Sequence, residues 1–176
     1  ITGESMLPVY RDGDRIIVQH PASGMVTALE PVIRACSGVW IAHGSGNADR
    51  NVVDIHDRVQ VPPRDPSYAL RRVWLTQEEE KGYYYGFANE GMWPLCHLAF
   101  VRPAFRGEDW AQYVKVNTRF AHAIVREARS DNPVVFVQDY HFALLPRLGR
   151  PRWPIAPAAW WYDVPARHSV TVVACP

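Results

Sequence analysis

The run Val134 to Gln138 (VVFVQ) constrains the fold more than any other segment. It is apolar, rich in β-branched residues and does not alternate with polar ones. A strand of that kind is covered on both faces, as in parallel sheets with helices packed on each side. The segment before it, Glu108 to Arg129, has the complementary pattern. Tyr113, Val116, Phe120 and Ile124 recur at helical spacing, while Lys115, Arg119 and Arg126 lie off that stripe. Glu108 and Asp109 at its start and Arg126 and Arg129 at its end match the helix dipole. Asp131-Asn132-Pro133 stops it. A long amphipathic helix feeding a doubly buried strand is part of an alternating α/β unit.

The upstream sequence repeats that alternation. Asp12-Gly13-Asp14 is a turn signal before the short β-type run Arg15 to Gln19. After the loop Pro21 to Met25, apolar residues at Val26, Leu29, Ile33 and Cys36 predict a helix. Pro31 inside it should kink the helix or delay its start, and Ser37-Gly38 should end it. Val39 to Ala42 reads as a buried strand, Gly44 to Asn51 as a polar loop, Arg58 to Val61 and Arg72 to Leu75 as further strands, and Pro62 to Ser67 as a loop. Thr76 and Glu79 have capping-box spacing and predict a helix through the aromatic run Tyr83 to Phe87 towards His97.

Chemistry-bearing residues concentrate in three places. In α/β sheets ligands bind beyond the carboxyl ends of strands, where Asp139-Tyr140-His141 follows Val134 to Gln138. The Asp can accept hydrogen bonds from sugar hydroxyls, and the His can contact a phosphate or hydroxyl. The same residues also read as an N-cap and a part-buried imidazole ahead of a short helical stretch, Phe142 to Leu148. Tyr83-Tyr84-Tyr85-Gly86-Phe87 with Trp93-Pro94 and His97 reads either as a stacking wall for a sugar ring or as an aromatic core helix. Ser23-Gly24 precedes a helix and could offer backbone N–H groups to a phosphate or form a plain turn.

Composition removes other classes. Lys and Arg total 19 against 18 Asp and Glu, a net charge of +1, so no basic excess is available for nucleic acid. Cys36, Cys96 and Cys175 are widely spaced, which argues against a disulfide framework and a cysteine-zinc site and fits reduced thiols in a cytoplasm. His43, His56, His97 and His141 lack metal-ligand spacing, and neither a serine-nucleophile elbow nor a Walker A motif is present. No apolar run reaches the length of a membrane-spanning helix, and Ile1 to Pro8 does not read as a signal peptide.

The segments PASGMVTALEPVIRAC, WIAHGSG, RRVWLTQEEEKGYYYGFANEGMWPLCH, YVKVNTRFA and VVFVQDYHFALLPRL, in that order from Leu7 to Leu148, resemble the trehalose-6-phosphate synthase family. The form FANEGMWPLCH resembles a bacterial branch that includes the glucosylglycerol-phosphate synthases. The resemblance implies the Rossmann-like N-terminal half of a retaining GT-B glycosyltransferase: an incomplete α/β domain, its sheet mostly parallel and flanked by helices. It implies an acceptor-side domain over residues 1–150, a divergent tail over 151–176, and a C-terminal donor-binding domain absent from this sequence or supplied by another chain. The family moves glucose from UDP-glucose to glucose 6-phosphate, with no metal or other cofactor. Carried over motif by motif, Tyr84, Trp93 and Asp139 would contact the acceptor, with His141 behind them, and Ser23 and Gly24 would approach the donor. Glycerol 3-phosphate is an alternative acceptor, and a non-catalytic sugar-phosphate module an alternative role. Two departures stand out. The family's phosphate-clamping arginine after its first strand has no counterpart in ITGESMLPV, and Tyr162-Asp163 replaces a histidine close to the reacting sugar. With the donor-binding domain also missing from the sequence, the resemblance implies that this chain alone is inactive.

Overall fold

The computed structural model describes residues 8–18, 24–63, 65–128, 133–149 and 170–173. Strands β1 (Val9–Asp12) and β2 (Arg15–Val18) form an antiparallel hairpin. Its turn carries Gly13 at φ +57°, the left-handed conformation in which glycine bears no steric cost. Helix α1 (Gly24–Ala35) runs through Pro31. Gly38 N donates to Ile33 O and Ser37 N to Arg34 O, with Ser37 at φ +46°, a Schellman pattern that ends the helix at Ser37-Gly38 as expected. Then come β3 (Val39–His43), the single turn α2 (Asp49–Val52), β4 (Arg58–Val61) and β5 (Tyr68–Val73). A continuous helical stretch follows: α3 (Gln77–Glu80), a π-helix (Lys81–Met92) and α4 (Trp93–Cys96). The long α5 (Gly107–Glu127), β6 (Val134–Val137), a 3-10 turn (Tyr140–Phe142), α6 (Leu145–Gly149) and β7 (Val170–Val173) complete the described elements.

The main sheet has the order β4-β5-β3-β7-β6, and only β4 pairs antiparallel. Side-chain alternation along the strands divides the core into two layers. Val39, Ile41, Ala69, Val73, Val135 and Val137 face α5 and the π-helix, against Tyr83, Tyr113, Val116, Phe120 and Ile124. Trp40, Ala42, Tyr68 and Leu70 face the other way, onto Val26, Leu29 and Ile33 of α1. The expected mostly parallel α/β sheet is therefore present, and the α5 stripe is buried along its length.

Two local expectations change, and one element falls where none was expected. The strand expected at Arg72 to Leu75 lies at Tyr68–Val73. Arg72 misplaced it, because this arginine is buried inside the strand with its side chain fully enclosed, paired to Asp49 Oδ1 at 3.1 Å. The polar loop Gly44 to Asn51 contains the start of α2, whose Asp49 also accepts from Val9 N at 2.7 Å and Gly46 N at 2.9 Å. That one carboxylate joins the β1–β2 hairpin to the sheet. Val170–Val173, within the segment read from sequence as a divergent tail, forms the strand between β3 and β6. Arg129, Asp131 and Asn132, read as the end of the long helix, lie outside the described residues.

The capping box forms as expected: Glu79 N donates to Thr76 Oγ1 at 3.2 Å, and Thr76 N to Glu79 Oε2 at 2.9 Å. The same buried carboxylate receives Arg119 of α5 at 2.6 Å and Lys115 at 2.9 Å. Burial alone would raise the Glu79 pKa, but hydrogen bonds from Arg119, Lys115 and the Thr76 N–H outweigh it and bring it from 4.5 to about 2.

The helix continues wide-bored where Gly82 and Gly86 meet α5. A Cβ on Gly86 would lie 2.4 Å from Asp109 Cγ, and one on Gly82 2.7 Å from Gln112 Cγ. Gly86→Ala should therefore force the two helices apart and cost about 1–3 kcal/mol. Gly107→Ala, which meets open space, should stay within about 0.5 kcal/mol of wild type. Urea unfolding of both variants checks this, and equal stabilities would refute the close packing. A second expectation concerns Glu79. Its depressed pKa means the unfolded chain binds more protons, so this stabilisation is complete above about pH 4.5 and declines towards about pH 2. Acid titration of stability should show a shallower decline over that window in Glu79→Gln.

Candidate functional site

Strand β6 delivers its chain to Asp139 at a carboxyl end of the sheet. Asp139 has φ 73° and ψ 169°, a backbone region reserved almost wholly for glycine. A non-glycine residue held there costs about 1–3 kcal/mol, and such strain gathers at functional sites. Its Oδ1 accepts from Tyr140 N at 2.6 Å, starting the 3-10 turn. Helix α5 clamps that turn. The Tyr113 hydroxyl donates to Tyr140 O and accepts from Ala143 N at 3.1 Å, while Asn117 Nδ2 donates to His141 O at 3.2 Å.

The π-helix supplies the facing wall. The Tyr84 ring stacks on His141 with centroids 5.1 Å apart and planes 17° from parallel, and Tyr140 lies on His141 at 4.3 Å. The edge of Tyr83 meets the same imidazole at 6.3 Å. Trp93 stacks on His97 at 4.8 Å, and His97 meets Tyr140 edge-on at 6.1 Å. His141 is buried, with Nε2 3.3 Å from Asn89 Oδ1 and Nδ1 3.8 Å from Asp139 Oδ2. Burial pushes its pKa down to about 4, the Asp139 carboxylate opposing the shift, so the ring is neutral at pH 7. The assembled surface thus combines a carboxylate, a neutral imidazole and aromatic faces, with Trp93 40% exposed.

Four of the residues singled out in the sequence, Tyr84, Trp93, Asp139 and His141, come together through these contacts. Of the two sequence readings of Asp139-Tyr140-His141, the geometry shows the N-cap and the buried imidazole, since Asp139 caps the turn and His141 is buried. Gly24 is the first residue of α1, and Ser23 lies outside the described residues. Asn89, Tyr113 and Asn117 were not singled out as site residues. Tyr113 was legible only as part of a helix stripe, and Asn89 only as a lone amide within an aromatic run. Two open grooves of about 330 and 360 Å³ lie at the β4–β5 side, lined by Arg58, Arg71, Arg119 and Arg126, and contain none of the predicted site residues.

Residues 7–167 match glycosyltransferase family 20. The chain is 37% identical over 142 residues to the trehalose-6-phosphate synthase of Mycobacterium ulcerans, covering 81% of this chain and 27% of that protein. It is 37% identical over 154 residues to the trehalose-6-phosphate synthase of Mycobacterium tuberculosis, covering 88% and 30%. The chain therefore spans under a third of the length of these curated relatives. Among solved structures, the trehalose-6-phosphate protein of E. coli bound with UDP-2-fluoro glucose superposes with a TM-score of 0.59 at 23% identity, over 80% of this chain and 30% of that one. The synthase of Burkholderia xenovorans in complex with glucose-6-phosphate superposes at 0.57 with 18% identity, over 86% and 30%. Sequence match and shared fold agree that this chain belongs to glycosyltransferase family 20.

Proposed function

We propose that this chain forms the acceptor side of a retaining glucosyl transfer from UDP-glucose to glucose 6-phosphate, giving trehalose 6-phosphate. The observation that carries the reading is Asp139. Its strained backbone holds a carboxylate at the end of β6, beside a neutral imidazole and stacked rings. A carboxylate accepts hydroxyl protons in strong charge-assisted hydrogen bonds, and the exposed face of Trp93 suits the C–H face of a pyranose. A neutral His141 adds hydrogen-bonding capacity without a second charge. Likeness to relatives named trehalose-6-phosphate synthase supports the choice of substrates.

In this reading Tyr84, Trp93, Asp139 and His141 line the acceptor pocket. Gly24, the first residue of α1, and Ser23 before it in sequence approach the donor phosphates, which a helix N-terminus attracts. The chemistry needs no metal or other cofactor. The relatives are about three times as long as this chain, so the remaining UDP-glucose contacts come from sequence beyond these 176 residues or from another chain. The 176 residues bind the acceptor but do not turn it over alone. The free thiols of Cys36 and Cys96 suit a cytoplasmic setting.

Calorimetry at millimolar glucose 6-phosphate should give saturable heat with the purified chain, and Asp139→Ala should weaken it about tenfold to a hundredfold. No heat from a folded chain would refute the reading, and preference for glycerol 3-phosphate would move the acceptor assignment. Asp139→Gly should separate strain from function. It relieves the left-handed backbone and so raises Tm by a few degrees, yet it loses binding as fully as Asp139→Ala.

A further inference from the structure

We propose that Asn89 is a positioning residue that holds the proton of His141 on Nε2, so that the Nδ1 lone pair and the Asp139 carboxylate form a two-acceptor seat for a ligand diol. This rests on the acceptor-site reading above and adds what that site selects. Asn89 Oδ1 lies 3.3 Å from His141 Nε2 and 3.5 Å from the Tyr140 hydroxyl, which donates to it. A carbonyl oxygen only accepts, so a neutral His141 facing it carries its proton on Nε2. Nδ1 is then an acceptor. It is buried, has no hydrogen-bond partner among the described residues, and lies 3.8 Å from Asp139 Oδ2.

Two acceptors at that separation repel each other unless donors come between them. A single hydroxyl has one proton to give, whereas adjacent hydroxyls on one sugar ring have two. Tyr84 and Tyr140 stacked on His141 hold the ring plane, so Nδ1 keeps its direction. Burial keeps the ring uncharged near neutral pH, so the Nδ1 lone pair stays unprotonated.

The π-helix is what lets Asn89 reach. Tyr84 and Asn89 are five residues apart and both touch His141. In an α-helix, positions five apart diverge by about 140°. The i→i+5 register of a π-helix brings them back towards one face, so the stacking ring and the orienting amide address the same imidazole.

Long-range proton–nitrogen NMR on histidine-labelled protein tests this directly, with His141 assigned from the signal lost in His141→Gln. At pH 7 the His141 proton should reside on Nε2. A proton on Nδ1, donated to Asp139 with the Asn89 amide turned over, would overturn the proposal without any ligand being present. Asn89→Ala should shift the tautomer towards Nδ1–H and weaken glucose 6-phosphate binding about tenfold. Asn89→Asp, which keeps an acceptor in place, should retain the Nε2–H tautomer. A tautomer unchanged in folded Asn89→Ala would also overturn it. Failure of glucose 6-phosphate to bind wild type would refute the acceptor reading, leaving the tautomer result to be judged separately.

Discussion

The contact between the π-helix and α5 can exist only because Gly82 and Gly86 have no side chains. At Gly86 the Asp109 carboxylate occupies the space a Cβ would need. With the helices this close, Phe87 reaches Tyr113 at 4.4 Å between centroids, and Tyr83 stacks on the same ring at 5.9 Å. Tyr113 in turn ties down the Asp139–Ala143 turn. The packing of two helices therefore sets where the chain leaving β6 can go. Site geometry in this protein is a consequence of helix–helix distance.

Polar groups reinforce that frame where apolar packing cannot reach. Glu79 joins the start of the long helical stretch to Arg119 and Lys115. At the other end of α5, the buried Glu127 accepts from Arg58 Nε of β4 at 2.9 Å. Asp49 and Arg72 do the same between the hairpin and the sheet. Buried ion pairs of this kind add little net stability over apolar packing, but losing one partner is costly, so each fixes one arrangement rather than several.

Much of this was legible in the sequence because it follows from periodicity. The stripe Tyr113, Val116, Phe120 and Ile124, the run VVFVQ, and the Thr76–Glu79 box each encode their environment locally. The position of β5 was not legible, since an arginine inside a buried strand makes sense only once Asp49 is known to face it. Nor was the π-helix. The same residues at α-helical spacing would give a different facing set, and nothing in KGYYYGFANEGM announces the wider turn. In the site, the aromatic wall and Asp139-Tyr140-His141 could be picked out singly. That His141 lies between Tyr84 and Asn89 depends on packing between segments far apart in sequence.

Strand β7 lies between β3 and β6 in the sheet, although the chain reaches it after both. Until residues 170–173 emerge from the ribosome, β6 has no neighbour among the described strands with which to share its backbone hydrogen bonds. The nascent chain can thus build α1, β3, β4 and β5 while the segment bearing Asp139 waits for a distant closing piece. Such non-local pairing is slow to form. The turn bearing Asp139 is therefore among the last parts of the described structure to acquire its shape, and its assembly reports that β7 has joined β3 to β6.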